Sequence, residues 1–183
     1  MKNTFNILIL LFFTISALGQ EIKYTLFIKN PCTEIIEKSC DYYLEKEGIE
    51  YCPTSLDSTT ILLPTLGEYK LIASEIGEIH KIKINRKINS DTLIMSRIQE
   101  YIVTHDRHGY RFEHCDRACD GIETGYYSDG SIQLIAKFKK GLVIGELKRF
   151  YLNGKIKEIS NYNKQGYFTN KTRFDENGKI IKE

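Results

Sequence analysis

The chain has no tryptophan, and beyond its first 19 residues it has no apolar run long enough to cross a bilayer as a helix. Net charge is scarce too: +2 over 183 residues is too little to direct binding to nucleic acid. The usual catalytic signatures are missing. No Gly-x-Ser-x-Gly elbow, phosphate loop, His-Glu-x-x-His or dinucleotide fingerprint occurs. Cys115 beside His114 invites a nucleophile-and-base reading, but neighbours on a strand point to opposite faces. The expectation is therefore a non-enzymatic protein with no catalytic residue and no cofactor, and with neither nucleic acid nor a membrane span among its interactions.

What the chain does have is aromatic side chains, 12 tyrosines and 9 phenylalanines, and a repeat. The pairs Asp129-Gly130, Asn153-Gly154 and Asn177-Gly178 recur every 24 residues. Tyr126, Phe150 and Phe174 precede each turn glycine by four positions, and Ile132, Ile156 and Ile180 follow it by two. Phe138 and Tyr162 also correspond. A fixed period of this size marks a repeat array. Asn-Gly and Asp-Gly favour a type I′ turn between alternating strands, so each unit is expected to be a hairpin tipped by Gly130, Gly154 or Gly178. A lone hairpin is marginal in water, so the units must pack on one another.

The motif aromatic-x-x-(Asn/Asp)-Gly-Lys-(Leu/Ile), a later aromatic and a Gly-rich return resembles the MORN repeat variant. The likeness rests on Phe150-Tyr-Leu-Asn-Gly-Lys-Ile156 with Tyr162, and on Phe174-Asp-Glu-Asn-Gly-Lys-Ile180. Tyr126-Tyr-Ser-Asp-Gly-Ser-Ile132, with Phe138 and Gly141, follows it more loosely. Thr169 stands where the other units have Gly121 and Gly145. The resemblance implies a β-hairpin array that binds a protein partner, in the manner of antitoxin-like bacterial MORN proteins.

Residues 1–19 read as a secretory signal peptide: a lysine, an apolar run over 7–13, then Ala17-Leu18-Gly19 before Gln20. An exported chain, periplasmic or secreted, is expected. Residues 20–103 carry short alternating runs broken by turn residues, the pattern of a small β-sandwich. The segment Thr60-Ile-Leu-Leu-Pro-Thr-Leu-Gly-Glu-Tyr-Lys-Leu-Ile-Ala73 resembles part of a prealbumin-like or carboxypeptidase-regulatory-like domain. The predicted organisation is all-β: a sandwich over 20–103, a Cys/His-rich connector over 104–120, and repeats at 121–144, 145–168 and, in part, 169–183.

Charge divides along the same line. Residues 20–120 hold 13 basic and 17 acidic side chains, and residues 121–183 hold 12 and 7. A basic array admits an anionic envelope surface, polysaccharide or lipid, reached through Lys155, Lys157 and Lys164. For a protein partner, the aromatic excess nominates Tyr127, Phe150, Tyr151, Tyr162 and Phe174, with Lys155.

Five cysteines in an exported chain point to disulfides. Positions four apart on a strand lie roughly 13 Å apart, beyond disulfide reach. Cys115 and Cys119 therefore bridge each other only across a turn, or else reach back to Cys32, Cys40 or Cys52. A competing reading is a metal or redox site from His105, His108, His114, Cys115 and Cys119, whose donors suit zinc or copper although their spacing matches no common module.

Overall fold

The computed structural model describes residues 21–54, 59–103 and 108–182. All regular structure among them is β, in seventeen strands. The first eight are β1 (Ile22–Lys29), β2 (Ile36–Lys38), β3 (Tyr42–Lys46), β4 (Ile49–Tyr51), β5 (Thr60–Leu63), β6 (Gly67–Ala73), β7 (Glu78–Ile84) and β8 (Ile88–Ile94).

β1 sets the pattern. Ile22, Tyr24, Leu26 and Ile28 turn inward and their neighbours outward, so the strand needs a second layer to cover one face. Along one edge β1 pairs antiparallel with β2 and then β5; along the other it pairs parallel with β8. The facing sheet has the order β4-β3-β6-β7. Its inward Tyr42, Leu44, Tyr69 and Leu71 close a shared core with Tyr24, Leu26 and Ile61. Buried hydroxyls find partners: Tyr24 donates to Asp91 at 2.9 Å, and Tyr42 to the Thr59 carbonyl at 2.8 Å. Glu47 and Gly48, at φ of 54° and 80°, form a two-residue hairpin turn between β3 and β4.

Two strands fall within the predicted connector. β9 (Ile98–Ile102) leaves the sandwich, and β10 (Tyr110–His114) and β11 (Arg117–Ala118) pair with it in the order β11-β10-β9. Cys115 and Asp116, both with φ > 0, turn β10 into β11. This small sheet is the lid of a second core, where Ile98, Phe112 and Cys119 meet Leu134, Ala136, Phe138, Val143 and Leu147. The rings of Phe112 and Phe138 sit 5.1 Å apart. The apolar positions of 98–119 are too few to read as a layer from sequence alone. They need the repeat sheet to complete them.

The array is one antiparallel meander: β12 (Gly121–Tyr126), β13 (Ile132–Lys139), β14 (Leu142–Phe150), β15 (Ile156–Tyr162), β16 (Phe168–Phe174) and β17 (Ile180–Ile181), paired in that order. Hairpins do form at Gly130, Gly154 and Gly178, but the type I′ turn expected there does not. Only the glycine has φ > 0, while Asp129, Asn153 and Asn177 do not. Gly130 N donates to the Tyr127 carbonyl at 3.0 Å, and Tyr127 N to that of Ser131 at 2.9 Å. This is a type I turn closed by a glycine bulge. In the first two tips the Asx side chain decides the form: Asp129 and Asn153 accept the amide two residues on, from Ser131 and Lys155. At the third tip Asp175 takes over, accepting from Asn177 and Lys179. A true two-residue turn joins β13 to β14 at Lys140 and Gly141 (φ 51° and 77°).

Three ties hold sandwich, lid and array together. A disulfide joins Cys32 to Cys115, Cα to Cα 5.3 Å. Arg149 of β14 pairs with Glu100 of β9. Ser128, in the first repeat tip, donates through its amide (2.9 Å) and its hydroxyl to the carboxylate of Glu78 at the start of β7.

Candidate binding site

The first two units place a tyrosine immediately after the recurring aromatic, at 127 and 151. Both hydroxyls are spent within the array: Tyr127 donates to the Phe150 carbonyl and Tyr151 to the Phe174 carbonyl, each at 2.6 Å. Each tyrosine thereby bolts its own tip to the next unit. The third unit has Asp175 in that place, and the ladder stops. Tyr127 is buried, and Tyr151, Phe150 and Phe174 are half-buried. The structure gathers these four along one end of the sheet as an inter-repeat clamp, so Tyr127 is not part of an exposed binding face. Lys155 projects into solvent from the second tip. Tyr162 lies elsewhere, packed against the second core, with its ring edge-on to Phe168 at 5.8 Å.

The sheet continues beyond the clamp. The lid formed by β9 to β11 meets β13 and β14, and on the same face the side chains then turn ionic. In register run Leu134, Arg149, Glu158 and Arg173. Burial works against ionising Glu158, but bonds from Ser160 and Arg173 prevail and hold its carboxyl below the usual range. Past β15, Phe168 is 50% exposed, Ile180 57% and Ile181 47%, while at the opposite edge of the sheet Ile122 is 76% exposed. The aromatic excess in the sequence nominated the buried Tyr127 and not Phe168. The missing signal was which units the lid covers.

The proposed metal donors are not assembled. His105 lies outside the described residues. His108 stacks on Tyr167, with centroids 4.4 Å apart and planes 3° apart, and its Nε2 is 2.9 Å from the Gln165 carbonyl. His114 Nδ1 meets Glu123 at 2.6 Å. Cys115 is consumed in the disulfide. Cys119 is fully buried in the second core, and burial, with Glu123 beside it, pushes its thiol up to about 12. Among the described residues no group of three or more His, Cys, Asp or Glu side chains is placed to hold a metal ion.

Between β7 and the repeat tips lies a cleft of about 470 Å³, lined by Lys70, His80, Lys81, Tyr127, Tyr151 and Lys157 among others. Glu78, between the lining residues Gly77 and Ile79, is 2% exposed and bonds to His80 Nε2 at 2.6 Å as well as to Ser128. The bond to Glu78 raises the His80 pKa; burial opposes the shift, and Asp129 and Asp91 add to it.

Two consecutive units with this turn geometry carry the likeness seen in the sequence. Residues 120–140 and 144–164 match the MORN repeat variant. The third tip, Asp175 to Lys179, repeats the same hydrogen bonds outside the matched stretch. The match does not extend to the sandwich, for which the prealbumin-like resemblance finds no support. No curated protein and no solved structure matches the chain. MORN repeats commonly serve in binding and protein interactions.

Proposed function

We propose that this chain is an exported, non-enzymatic binding protein that docks a partner protein on the uncovered end of its repeat sheet. One observation carries the reading. The lid buries Leu134, Ala136, Phe138, Val143 and Leu147 of β13 and β14, whereas Phe168, Ile180 and Ile181 on the last two strands stay about half exposed. Phe168, paired with Tyr162, and Ile180, paired with Phe174, stand at the two ends of β16 with Lys171 and Arg173 between them, so this margin of the sheet offers a partner both apolar and cationic contacts. The Cys32–Cys115 disulfide suits an oxidising compartment, in keeping with the leader at residues 1–19. An exported chain sits awkwardly with a cytoplasmic antitoxin role, so docking at the envelope is the reading preferred.

The experiment is crosslinking of the full chain in the producing cell, identification of the partner, and titration with the purified partner. Phe168→Asp with Ile180→Asp should weaken binding by tenfold or more, about 1.4 kcal/mol or above, while thermal unfolding stays near that of the parent. Unchanged affinity overturns the docking surface.

A further inference from the structure

We propose that the cleft between β7 and the repeat tips receives an extended acidic segment of a partner protein, laid along the free edge of β7. This site is separate from the array end and stands without it.

Charge is the first argument. Lys70 and Lys81 lie directly opposite each other in the β6–β7 register, an unfavourable arrangement for like charges. Lys70 is relieved by Glu45 at 3.3 Å, whereas Lys81 has no carboxylate partner among the described residues. From the other wall the Lys157 ammonium sits over the Tyr151 ring, 5.7 Å from its centroid, again without a carboxylate. Against these cations the lining holds a single carboxylate, Glu176. A recess with unanswered positive charge raises the local concentration of anions.

Topology is the second. β7 is the outermost strand of its sheet, and its other edge is unpaired among the described residues. Ser128 occupies only the first residue, Glu78. An extended peptide can add to such an edge by main-chain hydrogen bonds. Ile79, Lys81 and Lys83 alternate on the exposed face of β7, so acidic side chains at every second position of the added strand would face lysines. The recess also selects against other anions. A membrane surface cannot follow the chain into a cleft between two walls, and a duplex needs a continuous basic stripe rather than a pocket.

The test uses the full, oxidised chain and a fluorescein-labelled peptide of alternating threonine and glutamate, read by fluorescence polarisation. Saturable binding is expected, weakening as salt is added. It should drop about tenfold or more for Lys81→Glu with Lys157→Glu, and stay unchanged for Lys137→Glu with Lys139→Glu on the array. A threonine–glutamine peptide, and an acidic peptide N-methylated at alternate residues, should fail to bind. Any of four results overturns the proposal: equal binding of the glutamine peptide, full binding of the N-methylated one, no effect of the cleft variant, or an equal effect of the array variant. Vesicles of anionic lipid that bind the chain through Lys81 and Lys157 as tightly as the peptide does would also overturn it, assigning the cleft to a membrane. Phe168→Asp leaves this binding intact, which separates its failure from that of the array face.

Discussion

Replacing Cys32 and Cys115 together by serine tests the relation between the two halves of the molecule. The bridge spans a sequence separation of 83 residues, from the loop after β1 to the turn between β10 and β11. In the chain-entropy account, closing a loop of that length restricts the unfolded ensemble by about 4.5 kcal/mol. A domain of ordinary stability has roughly 5–15 kcal/mol in all, so the loss is a large share of it. At about 2–4 °C per kcal/mol for a chain of this size, the unfolding midpoint should fall by roughly 9–18 °C. Urea and thermal unfolding of the oxidised parent and the double variant measure this, with reductant added to the parent as a second route to the same state. Thiol counting gives an independent check. Denatured, unreduced protein should show three thiols, Cys40, Cys52 and Cys119. In the native state the two exposed thiols should react fast and the buried Cys119 slowly. Five thiols, or an unfolding midpoint indifferent to reductant, would refute the reasoning.

The Glu78–His80–Ser128 joint should make stability depend on pH in a definite direction. His80 has a folded pKa above its unfolded value of about 6.5, so the contribution of its protonated form is complete below that value and is lost as pH rises through the folded pKa. The stability gap between the parent and His80→Gln, measured in urea, should therefore be widest near pH 6 and narrow toward alkaline pH; a constant gap argues against the joint. Gly141 should tolerate substitution less well than Gly154. Both have φ near +77°, where alanine costs about 1–2 kcal/mol. At Gly141, however, a Cβ would also come within 3.1 Å of the Phe112 carbonyl, beside the bond from Phe112 N to the Gly141 carbonyl. Gly141→Ala should cost roughly 1 kcal/mol more than Gly154→Ala in denaturant unfolding; equal costs would show that the lid does not seat there.

The sequence by itself determined the strands and the repeat. The alternation in β1, the Glu47-Gly48 hairpin and the 24-residue recurrence of glycine tips follow from contacts between near neighbours, and near neighbours are what a single sequence displays. Even there the turn form was misjudged, because the Asx side chains accept backbone amides and leave only the glycine at positive φ. The tertiary structure alone decided that β8 runs parallel to β1, that Cys115 chooses Cys32, that the supposed connector is a lid, and that Tyr127 is a buried bolt. Each of these joins residues far apart in the chain, and such pairings are set by which apolar faces need covering and by the closure of long loops. A local pattern records that a face is apolar; it does not record what will cover it.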